Sequence, residues 1–349
     1  MSASGPFPAS LRRVYWETTA GCNLRCIHCR RQDVLAKGAP DELTTAEGLK
    51  LIDDLALMGK PVLIFSGGEP LFRRDIFELM AHARGRGLPL ALATNGTLVG
   101  DAMAKKLKDA GVYYASISLD GATPAVHDAF RGAGNFERAV RGLKAMKAAG
   151  ISVQVNFTVT RRNVHEVEAM HRLVSEIGGF ALYLFLLVPV GCGVSIAESD
   201  MLPSSEVEKW LKWVSAVDKP GMLPVKAICA PHYFRVSHEL TDPEGPIAED
   251  RKGCLAGIHM CFVSHKGDVT PCGYLPVSAG NVRENPFGLI WKSSQVFRDL
   301  RDPSLLEGRC GSCEFARVCG GCRARGWFAS NDILAEEPFC AYEPAAAGK

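Results

Sequence analysis

Short apolar runs alternate with amphipathic stretches from residue 14 to about 190, and the period switches between two and 3.6 each time. The runs predict strands over 14–19, 62–66, 90–94, 114–119, 152–159 and 182–188, with helices between them over 44–58, 73–86, 100–110, 135–149 and 163–177. Thr44-Thr45-Ala46-Glu47 has the capping-box pattern, and Gly59, Gly87, Gly111, Gly150 and Gly178 stand where each helix should stop. Repeated strand–helix units predict an α/β fold on a parallel sheet. Six units are fewer than the eight of a closed barrel. The pattern then changes. Residues 191–250 gain Gly, Pro and Ser around a Trp-bearing helix over 204–217 and read as a bridging segment, and a cysteine-rich region fills 251–349.

Composition narrows the classes. The 349 residues are 47% hydrophobic with a net charge of only +2, enough to bury a large core and without the basic excess of a nucleic-acid binder. Residues 1–10 lack a basic region followed by an apolar one, and the longest apolar run, 180–190, is about half the length of a membrane span. Thirteen cysteines in so long a chain fit metal chemistry in a reducing cytoplasm better than a disulfide scaffold.

Cys22, Cys26 and Cys29 form a CxxxCxxC triplet just after the first strand. An iron–sulfur cluster normally takes four cysteines, so three leave one iron open to a small molecule. Downstream, Ser66-Gly67-Gly68-Glu69-Pro70 follows the second strand; the glycines let backbone approach a ligand closely, and Glu69 can accept a hydrogen bond. Together these segments resemble the triplet and GGE motifs of the radical S-adenosylmethionine (AdoMet) enzymes. The resemblance implies a partial (β/α)6 barrel, a [4Fe–4S] cluster with an open iron, and AdoMet chelated at that iron and cleaved to a 5′-deoxyadenosyl radical. It further implies cofactor contacts from Gly67, Gly68, Glu69, Asn95, Ser118, Asp120, Asn156 and the Val188 backbone at the strand ends, with Ser118 and Asp120 as ribose candidates.

A second constellation follows. Cys254 is separated by twelve residues from Gly267 and by four more from Cys272, and Cys310-x2-Cys313-x5-Cys319-x2-Cys322 precedes Cys340. Paired CxxC units also suit zinc. The order resembles the SPASM domain, which holds one or two auxiliary [4Fe–4S] clusters, although many members have three residues rather than two before the last paired cysteine. By that resemblance Cys310, Cys313, Cys319 and Cys340 hold one cluster, and Cys254, Cys272, Cys322 and Cys261 the other. Cys192 and Cys229 fall outside both groups.

The stretches 253–259, 267–272, 275–277, 319–325 and 335–340, and the Cys229-Ala230-Pro231-His232-Tyr233 loop, resemble the haem-synthase branch of the siroheme-dependent haem pathway. That branch oxidatively decarboxylates two propionates of iron-coproporphyrin III to the vinyl groups of haem b. The implied partners are an iron-porphyrin substrate and a low-potential donor such as a ferredoxin or flavodoxin. Arginine forks suit carboxylates, making Arg30, Arg31, Arg235, Arg323 and Arg325 substrate candidates, with Tyr233 beside them and His232 as an axial ligand for the substrate iron. A sister tetrapyrrole enzyme (a didecarboxysiroheme deacetylase or a haem d1 enzyme), a SPASM enzyme acting on peptides or proteins, and a non-enzymatic iron–sulfur electron carrier remain the alternatives. Peptide maturases commonly carry an N-terminal winged-helix module, and only about thirteen residues precede the first strand here.

Overall fold

A computed structural model describes residues 10–31, 37–248 and 252–345. The stretch 1–9 and the boundary expected at 250/251 lie outside the described residues. One ten-stranded sheet organises the chain, in the order β10-β9-β8-β1-β2-β3-β4-β5-β6-β7. Strands β1 (Arg13–Glu17), β2 (Val62–Ser66), β3 (Leu90–Thr94), β4 (Val112–Ser118), β5 (Ser152–Val159) and β6 (Ala181–Leu186) run parallel. Between them lie α1 (Thr45–Ala56), α2 (Ile76–Gly85), α3 (Asp101–Asp109), α4 (Pro124–Arg131) with α5 (Asn135–Ala148), and α6 (Val167–Glu176).

The local signals act as expected. Thr44 caps α1 in a full capping box with Glu47. Gly87 follows α2 at φ +76, a left-handed geometry that favours glycine. The helices pack on the apolar positions of the strands; on β5, Val153, Val155, Phe157 and Val159 enter the core and alternate with Ser152, Gln154, Asn156 and Thr158. Leu63 and Phe65 of β2, Leu90 and Leu92 of β3 and Ile117 of β4 pack with Ile52, Leu55, Leu79, Met80 and Leu143 in one continuous core. This rigid layer brings the C-terminal ends of the strands to one rim.

Residues 191–250 do more than bridge. After α7 (Gly193–Asp200) and α8 (Ser204–Val217), β7 (Val225–Ile228) adds a seventh parallel strand beside β6, and α9 (Tyr233–Thr241) packs against α8. At the other edge, β8 (Met260–Val263) pairs parallel with β1, in register from Arg13–Met260 to Trp16–Val263. Strands β9 (Asp268–Thr270) and β10 (Gly280–Asn281) then continue antiparallel. Helices α10 (Phe287–Ser293), α11 (Gln295–Arg301), α12 (Gly308–Ser312) and α13 (Arg323–Ser330) complete the cysteine-rich region. The sheet is thus continuous from the barrel into that region, and no helix among the described residues is long and apolar enough to cross a membrane.

Candidate active site and auxiliary thiol groups

The triplet lies in the loop leaving β1. The Cys29 amide donates to the Cys26 carbonyl at 3.1 Å, closing a turn that brings their thiols to one side. The Leu24 amide donates to Cys22 Sγ at 3.4 Å, and Arg131 Nη1, at the end of α4, lies 3.6 Å from Cys26 Sγ. From the other side, Gly191-Cys192-Gly193 closes over the loop. The Cys192 amide donates to the Cys29 carbonyl (2.8 Å) and its thiol to the Arg31 carbonyl (2.9 Å). Cys192 is therefore a brace. Burial pushes the Cys22 thiol up to about 11 and also raises Cys26, so a metal must displace protons to be held here. Three adjacent thiols, fed by N–H and guanidinium donors, fit an iron–sulfur cluster.

The Gly67-Gly68-Glu69 segment is pressed against this loop. The Gly68 amide donates to Thr19 O and the Glu69 amide to Gly21 O, both at 2.8 Å. A Cβ at Gly68 would collide with the Gly21 and Ala20 carbonyl oxygens. Gly68→Ala is accordingly expected to displace the loop and weaken AdoMet binding on the order of ten-fold or more, about 1.4 kcal/mol, measurable by equilibrium dialysis of the reconstituted enzyme. Glu69 is fully buried and accepts from Thr94 Oγ1 (2.8 and 2.9 Å), the Asn95 amide (2.9 Å) and the Leu71 amide (3.3 Å). Burial lifts its pKa to about 7 despite those donors, a setting that a nearby cationic group would relieve. Asn95 spans from this segment to the triplet: its Nδ2 donates to Asn23 Oδ1 at 2.9 Å and lies 3.9 Å from Cys22 Sγ.

Ser118 and Asn156 stand opposite each other in the β4–β5 register and keep partial exposure at the rim, and Val188 is buried after β6. Asp120 has a different role from the ribose contact expected of it. Its carboxylate is wholly buried; Oδ1 accepts from the Thr158 amide (2.8 Å), while Oδ2 takes Arg131 Nε (2.5 Å) and lies 3.1 Å from His28 Nε2. Burial would raise its pKa, but Arg131 and then His28 hold it far below the carboxylate range. Asp120 thus anchors the triplet loop through His28, between Cys26 and Cys29, and through Arg131.

The other cysteines form two groups. Cys310, Cys313, Cys319 and Cys340 line one partly open cavity together with His232, Arg235 and Tyr342. The Gly321 amide donates to Cys319 Sγ and the Glu337 amide to Cys310 Sγ, both at 3.4 Å. Among the described residues no three donors converge on a point as for a single metal ion, whereas four thiols around a cavity suit a cluster. His232 is 1% exposed and neither ring nitrogen has a partner within the protein, which a group filling this cavity would answer. The inner group holds Cys254, Cys272 and Cys322, which act on one another electrostatically. Cys261 is absent from it. That residue sits on β8 opposite Val14, wholly buried in the barrel core, with Arg301 as the charged group acting on it.

A family model described as the radical SAM superfamily matches residues 16–174, and one described as the SPASM iron–sulfur cluster-binding domain matches 254–322. An "AdoMet-dependent heme synthase" of Methanosarcina barkeri is 46% identical over 342 residues, covering 95% of this chain and 97% of that protein. The chain belongs to the radical SAM superfamily. An "AdoMet-dependent heme synthase" of Oleidesulfovibrio alaskensis is 42% identical over 342 residues, covering 95% of this chain and 88% of that protein. In fold, the crystal structure of Streptococcus suis SuiB bound to precursor peptide SuiA superposes with a TM-score of 0.77 at 16% identity, over 96% of this chain and 77% of that one. This radical SAM enzyme therefore takes a [4Fe–4S] cluster and AdoMet, and its SPASM domain binds auxiliary iron–sulfur clusters.

Within that radical SAM frame, most of the expected substrate residues are committed elsewhere. Arg31 pairs with buried Glu17, which also meets Arg30 at 3.1 Å and His265 at 3.3 Å. Arg235 is held by Glu208 and by Glu239 (2.8 Å) and lies over the Tyr342 ring. Arg323 donates to the carbonyls of Ala335 (2.7 Å) and Ile333 (3.3 Å), with Nη2 3.8 Å from Cys310 Sγ. Arg325 is 1% exposed and forks onto Glu337 at 2.8 and 2.9 Å. Tyr233 stacks edge-on to Phe234 and packs against the barrel core. His232 is buried and lines the outer thiol cavity beside Cys310, Cys319 and Cys340. Of the five arginines, Arg30 is the one whose side chain is not buried; it is 20% exposed, lies over the Phe262 ring at 4.4 Å and turns Nη2 toward Glu17 at 3.1 Å.

Sequence reasoning missed His28, Arg131 and Tyr274. Tyr274 is partly buried, packed with Cys229, Cys272 and Leu275, and within electrostatic reach of Cys29 of the triplet. The signal for α4, and hence Arg131, was present in Thr123-Pro124 and Gly132, which mark a helix start and stop. His127 on α4 backs this anchor, its Nδ1 accepting from the Asp120 amide at 3.2 Å. Burial, then Arg131, lowers its pKa to about 4. The folded state then holds fewer protons than the unfolded one between about pH 6.5 and 4, so His127 costs stability as pH falls through that window. His127→Asn, which keeps the acceptor, is expected to lose less urea stability than wild type between pH 7 and pH 5.

Proposed function

We propose that this enzyme oxidatively decarboxylates two propionate side chains of iron-coproporphyrin III, forming the vinyl groups of haem b. The observation that carries the reading is the 46% likeness to a haem synthase across 95% of the chain, barrel and SPASM domain together. When bound, the cluster and AdoMet supply a hydrogen-abstracting 5′-deoxyadenosyl radical. Each propionate loses one hydrogen atom from its β-carbon, carbon dioxide and one electron.

The protein's residues meet those needs in parts. Ser118 keeps partial exposure at the rim where AdoMet is expected, buried Glu69 fixes the Asn95 amide, and the Asp120–Arg131–His28 anchor keeps the triplet loop in place. Arg30 supplies a cation at the same rim, stacked on Phe262 beside Gly273, where a propionate carboxylate would be met. The departing electron needs an acceptor close by, and Tyr274 is within electrostatic reach of both Cys29 of the triplet and Cys272 of the inner group. A low-potential reductant, such as a ferredoxin or flavodoxin, is the external partner that restores the reduced triplet cluster.

Binding tests the reading before turnover does. Iron-coproporphyrin III added anaerobically to the reconstituted enzyme is expected to change its Soret band saturably. Arg30→Gln is expected to weaken that binding on the order of ten-fold, about 1.4 kcal/mol. If didecarboxysiroheme gave that saturable Soret change, or a peptide bound saturably by calorimetry, while iron-coproporphyrin III did neither, one of the alternative radical SAM substrates would replace it.

A further inference from the structure

Cys229 stood outside both cysteine groups in the sequence pattern, yet the fold carries it into one of them. It follows β7, the strand that residues 191–250 contribute to the sheet edge, so its position is set by the barrel rather than by the SPASM domain. Its backbone takes φ +56, a left-handed conformation uncommon for a residue with a Cβ. Arg325 holds it there, with Nη2 donating to the Cys229 carbonyl at 2.5 Å while the same guanidinium forks onto Glu337. Glu337 in turn accepts from the Cys322 amide at 2.9 Å, which fixes the adjoining residue of the inner group in the same network.

The side chains meet accordingly. The Cys229 and Cys322 thiols share a hydrogen bond, and Cys272 acts electrostatically on both. Cys229, Cys272 and Cys322 pack in one small cluster with Val188 and Leu275. Pro231, two residues on, presses against Gly253 and so brings Cys254 up to the same place. Cys261, the fourth member that the sequence suggested, is separated from all of them in the barrel core.

We propose that Cys229 is the fourth thiolate of the inner group, so that Cys229, Cys254, Cys272 and Cys322 hold a fully ligated [4Fe–4S] cluster without an open iron. Such a cluster exchanges electrons through its surroundings and offers no iron to a substrate. The loop from Cys229 to His232 then touches both auxiliary sites, since His232 lines the outer cavity. The assignment rests on the SPASM membership and is independent of the porphyrin reading.

The test uses the full chain with Cys22, Cys26 and Cys29 all replaced by alanine, reconstituted anaerobically, so that only auxiliary iron is counted. This parent is expected to hold about eight iron ions, two cubanes. Adding Cys229→Ser should remove about four of them or convert that cluster to a three-iron species with its own electron paramagnetic resonance signal. Cys229→Asp, which keeps an anionic ligand, should retain iron with altered g-values. Adding Cys261→Ser instead should leave iron and spectrum as in the parent. The proposal is overturned if Cys229→Ser and Cys229→Asp both keep the parent's iron and spectrum. It is also overturned if Cys261→Ser removes a cluster, or if the parent holds only about four iron ions that all depart on Cys313→Ser.

Discussion

Cys26→Ser is expected to abolish AdoMet cleavage, by at least about 10³-fold or roughly 4 kcal/mol of barrier, and to remove the triplet's iron. The loop offers no substitute for this thiol. Cys192, which closes over the loop, spends its S–H on the Arg31 carbonyl and its N–H on the Cys29 carbonyl. The Arg131 guanidinium beside Cys26 Sγ is also the partner of buried Asp120, so loss of the cluster would leave it facing an empty thiol cage rather than an anionic sulfur. Reconstitution followed by iron counting and chromatography of 5′-deoxyadenosine checks both parts. Auxiliary iron should survive, because Cys310, Cys313, Cys319 and Cys340 surround a cavity of their own.

Arg325→Met is expected to cost about 3–5 kcal/mol of folding stability, the usual consequence of leaving a buried charge unpaired. Glu337 is 1% exposed, and Arg325 is the cation that overcomes the cost of its burial. The same arginine ties Cys229 to α13, so auxiliary iron should fall as well. A structural role predicts that adding Glu337→Leu to Arg325→Met restores much of the stability, since replacing a whole buried pair is far cheaper than breaking it. Urea denaturation of the single and double variants separates this from a substrate-binding role, which would weaken porphyrin binding without a stability loss.

The fate of these arginines shows where sequence reading stops. Arginine near a site reads as a carboxylate receptor for substrate, but Glu17, Glu208 and Glu337 reach Arg31, Arg235 and Arg325 only through the fold. Local signals fared better. The limits of β2, β3, β5 and α8 coincide with the apolar runs that mark them, because a period of two or 3.6 is written within a few residues. Strand β7 carried too little pattern in four residues to stand out from the bridge, and α4 was hidden in the loop after Asp120. The triplet was legible because its three ligands lie within eight residues. Of the inner group, Cys254, Cys272 and Cys322 were named from the sequence, but Cys229 was not: it meets Cys322 through strand pairing and an ion pair, while Cys261, close to Cys254 in sequence, is drawn into the core by β8.

The most direct measurement is mass spectrometry of the porphyrin after anaerobic incubation of the reconstituted enzyme with AdoMet, dithionite and iron-coproporphyrin III. The expected result is stepwise loss of two propionate carboxyl groups to give haem b, with 5′-deoxyadenosine formed in step. Unchanged porphyrin alongside abundant 5′-deoxyadenosine would contradict the proposed substrate while leaving the radical chemistry intact.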